Sequence, residues 1–189
     1  MIDLGENQLT GKLPTWIGNS LVKLVVLIIR SNNFNHTIHP NLCTLQHIQV
    51  LDLSINNLSG TIPKCLHNLT AMTEELNLYP FFVYYIELPI LTSLMTKYTS
   101  FFDFEYLMWK GNEVKYINVA LRLVKLIDLS SNKLSGEIPP KITKLVGLIG
   151  LNISRNNLTG SIPKNIGNLN SLNFLDFSRN YLFGNIPQR

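Results

Sequence analysis

The 189-residue chain has two cysteines and two tryptophans, and only 15% of it is charged. Two cysteines exclude a small fold knit together by a dense disulfide framework. No apolar stretch reaches the ~18 residues of a membrane-crossing helix. The longest candidate, residues 80–95, is interrupted by Glu87 and Pro89. The net charge of +4 is mild and no run of like charge occurs, which excludes the footprint of a nucleic-acid or membrane binder. There is no phosphate-cradling glycine loop, no Gly-x-Ser-x-Gly elbow, no Cys-x-x-Cys and no kinase signature, so the chain is expected to be no enzyme and to need no cofactor. His36 and His39 have ligand-like spacing, but no third ligand stands near them and they read as loop histidines. With 46% hydrophobic residues the chain is too apolar for disorder and long enough to bury a core.

What the chain has in excess is 32 leucines and 22 asparagines. Bias of that kind points to an internal repeat. Asn7, Asn32, Asn56, Asn132, Asn156 and Asn180 end matching phrases and are spaced 25, 24, 76, 24 and 24 residues apart. Before Asn156 stand Leu145, Leu148, Leu151 and Ile153; before Asn180 stand Leu169, Leu172, Leu175 and Phe177. After Asn156 come Leu158, Gly160, Ile162 and Pro163, repeated after Asn56, Asn132 and Asn180. Each copy reads LxxLxLxxNxLxGxIP.

In Leu-x-Leu the two leucines share one face of a strand, so every copy supplies one short strand with an apolar and a wet side. Stacked copies form a curved parallel sheet, with short helical or 3-10 returns on the far side. The six asparagines turn inward where the chain leaves the strand and bond backbone groups that the bend would otherwise leave unpaired. One copy cannot bury its own face, so the fold is an α/β solenoid held by nearest-neighbour stacking. Met1 falls inside a copy and Gln188-Arg189 follows Ile186-Pro187 directly, which reads as a fragment of a larger solenoid with truncated first and last repeats and no cap.

The repeat resembles the plant extracellular type of leucine-rich repeat, which its Gly-x-Ile-Pro segment distinguishes. It covers residues 1–69 and 121–189. Between them the 76-residue gap exceeds one repeat by 52, placing a non-repeat insertion at 70–120. This segment holds twelve of the 18 aromatics and six acids against three lysines, leaving +7 for the repeats. Phe102, Phe104, Tyr106 and Met108 alternate as a strand, Gly111-Asn112 offers a two-residue turn, and Val114, Tyr116 and Asn118 follow as a second strand. The insertion resembles the island of plant receptor-like proteins and some receptor kinases. Trp109-Lys110-Gly111 and Tyr116, six after Lys110, carry the likeness, just ahead of Leu123-Val124-Lys125-Leu126-Ile127-Asp128-Leu129-Ser130. Phe101 stands where the family often has Tyr.

The resemblance implies the ligand- and co-receptor-binding part of a cell-surface receptor in defence or developmental signalling, at the extracellular face of the plasma membrane. Its partners would be a peptide or protein ligand and a co-receptor kinase ectodomain. The alternatives are a soluble inhibitor of cell-wall-degrading enzymes and a receptor fragment without activity of its own. Interfaces favour aromatics and arginine, so the candidate contacts are Tyr84, Tyr98, Trp109, Lys110 and Tyr116 in the insertion and Arg30, Arg155 and Arg179 on the sheet. The column Asp3, Ile28, Asp52, Asp128, Asn152, Asp176 reads as a solvated acidic face with local hydrogen bonds. Cys43 and Cys65, in adjacent repeats, are expected to form a disulfide in an extracellular chain. Glycosylation sequons occur at Asn35, Asn57, Asn68, Asn152 and Asn157, of which Asn35 and Asn68 are the favoured sites.

Overall fold

The computed structural model describes residues 1–74, 104–109, 112–117 and 124–188, the two segments at 104–117 by backbone alone. The chain forms two compact units, Met1–Glu75 with Lys125–Arg189, and Leu76–Val124.

In the first unit every repeat opens with a short strand. β1 (Ile2–Asp3), β3 (Val26–Ile28), β5 (Val50–Asp52), β9 (Leu126–Asp128), β11 (Gly150–Asn152) and β13 (Phe174–Asp176) form one six-stranded parallel sheet in that spatial order. β5 pairs directly with β9, Val50 beside Leu126 and Asp52 beside Asp128. The solenoid therefore stacks without a gap across the insertion. Leu27, Leu51, Ile127 and Leu151 point inward from this sheet and Ile29, Leu53, Leu129 and Ile153 follow them, all at most 1% exposed. Each such side chain contributes about 2 kcal/mol by leaving water.

A second parallel sheet was not anticipated from the sequence. β2 (Thr10–Lys12), β4 (Asn33–Thr37), β6 (Asn57–Thr61), β10 (Lys133–Glu137) and β12 (Asn157–Thr159) build it, in the order β12-β10-β6-β4-β2. The cause is the period-two pattern after each asparagine: Leu58 and Ile62, or Leu134 and Ile138, face the core while the residues between them face out. The glycine in the middle sits in the left-handed region, as Gly60 does at φ 75°, where an added Cβ would meet Thr37 Cγ2 at 2.7 Å. In one copy His36 takes this place at φ 67°. The returns are 3-10 turns at Pro40–Thr44, Lys64–Asn68, Pro140–Lys144 and Ile166–Asn168 and one short helix, α1 (Trp16–Ser20).

In the second unit β7 (Phe104–Trp109) pairs antiparallel with β8 (Asn112–Ile117). Trp109 pairs with Asn112, so Asn112 belongs to the second strand and not to the turn that the Gly-Asn dipeptide suggested.

Candidate functional site

The asparagines form the spine that holds the sheets in register. Asn156 Oδ1 accepts from Leu134 N at 2.9 Å, and its Nδ2 is shared among the carbonyls of Leu129, Ile153 and Ser154 at 3.0–3.2 Å. Asn32, Asn56 and Asn180 repeat this pattern. Asn132 does so across the insertion: its Oδ1 accepts from Leu58 N at 2.9 Å and its Nδ2 donates to Leu53 O at 3.0 Å. Asn7 bonds only within its own repeat, to Leu4 O and Gly5 O. From Asn32 onward each ladder member thus satisfies a donor and an acceptor of the preceding repeat, a requirement of any buried bend.

Four residues before every asparagine of the ladder except Asn32, which has Ile28 there, a carboxylate or amide caps the chain as it leaves the strand. Asp52 Oδ1 accepts from Ser54 N and Oγ, Asp128 Oδ1 from Ser130 N, Asn152 Oδ1 from Ser154 N and Oγ, and Asp176 Oδ1 from Ser178 N. The acidic column is therefore a set of Asx turns. Its middle is not solvated: Asp52 and Asp128, neighbours in register, are 1% and 5% exposed. The same holds for their apolar flank, because Val26, Ile28, Val50 and Leu126 lie outside the main core cluster yet are buried. Burial, and then the Asp128 charge, push the Asp52 carboxyl up to about 6, against hydrogen bonds from Ser54 and the charge of Arg30. Burial foremost raises Asp128 as well. At Asp176 burial is outweighed by bonds from Ser178 and Ser154 and the charge of Arg155, and the carboxyl is held below its ordinary range.

A folded state that holds the Asp52 proton more tightly than the unfolded chain is most stable below about pH 4 and loses that contribution as pH rises through about 6. Asp52→Asn keeps the turn cap, as Asn152 demonstrates, and removes the ionisation. The variant is expected to unfold at higher urea than the wild type at pH 7.5, with near-equal midpoints at pH 4; a wild type whose stability climbs from pH 4 to 7 would contradict this assignment.

The residue before each asparagine, Glu6, Ser31, Ile55, Ser131, Arg155 or Arg179, is left-handed with φ of 52–56°. This kink turns the side chain away from the core at the edge of the inner sheet. Arg155 and Arg179 are both exposed there, in adjacent repeats about one strand spacing (~4.8 Å) apart. Arg30, one position earlier in its repeat, is 8% exposed and donates to Glu6 Oε1 at 2.7 Å, so its guanidinium is already engaged by a carboxylate of the preceding repeat. Of the insertion candidates, Trp109 and Tyr116 lie on β7 and β8, while Tyr84, Tyr98 and Lys110 fall outside the described residues.

Cys43 and Cys65 form a disulfide joining the 3-10 turns of consecutive repeats, with a Cα–Cα distance of 5.8 Å. Closing a loop of this size contributes about 3 kcal/mol. Of the sequon asparagines, Asn68 and Asn157 are exposed and Asn57 is half-buried. Asn35 contacts His36 Nδ1, and Asn152 is committed to Asp128 and Ser154.

The base of the insertion is the feature that sequence reasoning missed. Met72 is fully buried in the repeat core, and its carbonyl accepts from Gly147 N at 3.0 Å. Ala71 N donates to Gln46 O at 2.8 Å, and Lys125 Nζ donates to Glu74 O at 2.5 Å. Burial lowers the Lys125 pKa, opposed by Glu74. Gly147 is the seat of this clasp, since a Cβ on it would lie 1.9 Å from Glu74 O. The signal available in the sequence was positional: nine residues before the ladder asparagine the other repeats carry Lys23, His47 or Ser171.

Two stacked parallel sheets, an asparagine ladder and 3-10 returns define a leucine-rich-repeat solenoid. The leucine-rich-repeat family model matches residues 47–69, 124–145 and 147–169. Receptor-like protein EIX2 of Solanum lycopersicum is 44% identical over 154 residues, covering 80% of this chain and 14% of that protein. Receptor-like protein 33 of Arabidopsis thaliana is 36% identical over 152 residues, covering 75% and 15%. Among solved structures, the ectodomain of the Arabidopsis receptor kinase HAESA in complex with an IDA peptide hormone superposes with a TM-score of 0.67 at 28% identity, over 99% of this chain and 22% of that one. The chain belongs to the leucine-rich-repeat family and is of the plant receptor-like type. It spans about one seventh of the length of the receptor-like proteins named here. No helix among the described residues is long and apolar enough to cross a membrane.

Proposed function

We propose that this chain is a recognition segment of a plant cell-surface receptor, acting outside the plasma membrane by binding a peptide or protein ligand and a co-receptor kinase ectodomain. The observation that carries the reading is the exposed Arg155–Arg179 pair, held by a left-handed kink at the edge of the inner sheet in the repeats after the insertion. Two guanidiniums one strand apart can hold a carboxylate through charge-assisted, bidentate hydrogen bonds. Neither is buried, so a partner meets them without first breaking the core. Trp109, Lys110 and Tyr116 of the insertion are the further contact residues in this reading, because interfaces favour aromatic side chains. Relatives named as receptor-like proteins and a fold neighbour seen with a peptide hormone support the same reading.

The test is capture of plant co-receptor ectodomains and free-carboxylate peptides by the secreted chain, compared with an Arg155→Glu/Arg179→Glu variant. The expected result is at least a tenfold weaker affinity for the variant at low salt, with unchanged thermal unfolding. Equal affinity would remove the arginine pair from the site.

A further inference from the structure

We propose that Asn157 carries an N-linked glycan whose first N-acetylglucosamine lies over Tyr181 and Phe183, using the outer face of the second sheet as its bed. Asn157-Leu158-Thr159 is a sequon on a regular strand, with Leu158 fully buried and both Asn157 and Thr159 exposed. The strand pairing sets what lies beside it. Across this sheet each repeat is offset by two residues, as in Ser135 beside Asn157 and Ser59 beside Lys133. Asn33 N bonds Leu9 O where Thr10 and Asn33 are partners, and Tyr181 N bonds Leu158 O at 2.8 Å in the same way. Thr159 therefore stands beside Tyr181, and Phe183, whose N bonds Gly160 O at 2.9 Å, continues the row. Leu182 packs on the core, so the alternation sends Tyr181 and Phe183 outward, 68% and 69% exposed.

Tyr181 and Phe183 run beside the edge strand β12 as two large exposed aromatics, the kind of surface that marks a contact site. With the spacing and rise of parallel strands, Asn157 and Tyr181 are about 8 Å apart, within the span of one sugar attached to the amide. Aromatic faces accept the apolar C–H face of a pyranose, and the hydroxyls of Thr159 and Ser161 border them. The other sequons lack this combination. Asn152 is half-buried, and its Nδ2 already donates to Asp128 Oδ2 at 3.1 Å. Asn35 and Asn57 are half-buried register partners on adjacent strands. Asn68 is exposed, but the neighbouring 3-10 turns, Pro40–Thr44 and Pro140–Lys144, contain no aromatic. This proposal uses an extracellular route, which the host imposes in the test, so its outcome is separate from that of the receptor reading.

The experiment is secretion of the full chain from a eukaryotic host, glycopeptide mass spectrometry at the five sequons, and thermal unfolding before and after enzymatic removal of whole glycans. Occupancy at Asn157 is expected, with the midpoint falling by about 2–4 °C on removal, the shift that a loss of about one kilocalorie gives in a chain of this length. In a Tyr181→Ser/Phe183→Ser variant the same removal is expected to move the midpoint by less than about 1 °C, and in Asn157→Gln likewise. An unoccupied Asn157 would overturn the proposal, as would a removal effect of equal size with and without the two aromatics.

Discussion

Asn132→Ala is expected to cost about 3–4 kcal/mol in urea unfolding, several times the effect of Asn7→Ala. The contrast follows from what each amide bonds. Asn132 is the side chain that carries the ladder across the insertion, accepting from Leu58 N and donating to Leu53 O. Alanine leaves that N–H and that carbonyl buried without partners, and each such group costs about 1–3 kcal/mol. Asn7 is exposed and bonds only Leu4 O and Gly5 O in its own repeat, so its loss is expected to stay below about 1 kcal/mol. Equal losses at the two positions would show that the ladder does not couple repeats.

Gly147→Ala is expected to destabilise the repeat unit by about 3 kcal/mol. The methyl would sit 1.9 Å from Glu74 O and 2.7 Å from its carbon, both backbone atoms that cannot swing away as a side-chain tip could. Relief requires the 70–74 segment to lift, breaking the bonds from Gly147 N to Met72 O and from Lys125 Nζ to Glu74 O. Ser171→Ala, at the corresponding place one repeat later, meets no such clasp and is expected to change stability by less than about 0.5 kcal/mol. Scanning calorimetry on the two variants checks this, and a Gly147→Ala chain as stable as the wild type would contradict the clasp.

The solenoid was legible because its determinants recur. Six asparagines in phase gave the repeat, the inner strands and the inward turn of the amide, since a period of 24 leaves little other way to bury Leu151 and Ile153 together. The second sheet was equally present in the alternation of Leu158, Gly160 and Ile162, but short apolar runs after a turn read as readily as loop. The burial of Asp52 escaped because its column was judged by the ordinary preference of aspartate for water. The contrary signal was nearby: Val26, Ile28, Val50 and Leu126 put apolar residues at outward positions in the same three strands, whereas Gly150 and Asn152 in the next are small and polar. Arg30 differs from Arg155 and Arg179 by one place relative to its asparagine, and that place decides whether the side chain reaches Glu6 or solvent. Gly147 departs from Lys23, His47 and Ser171 at its place in the repeat, but that departure does not say what rests there, since nothing in a repeat announces the seat of an insertion.

The most direct test of the account is binding by the secreted chain beside a version from which residues 73–124 are removed, so that Met72 joins Lys125 in the phase of an ordinary repeat. Both are presented to plant co-receptor kinase ectodomains and to free-carboxylate peptides, after circular dichroism has shown that both fold. The account predicts that the full chain binds, that the shortened solenoid keeps its fold and its weak arginine-dependent hold on carboxylates, and that it loses the co-receptor. A full chain that captures neither class of partner, or a shortened one that binds both as tightly, would contradict it.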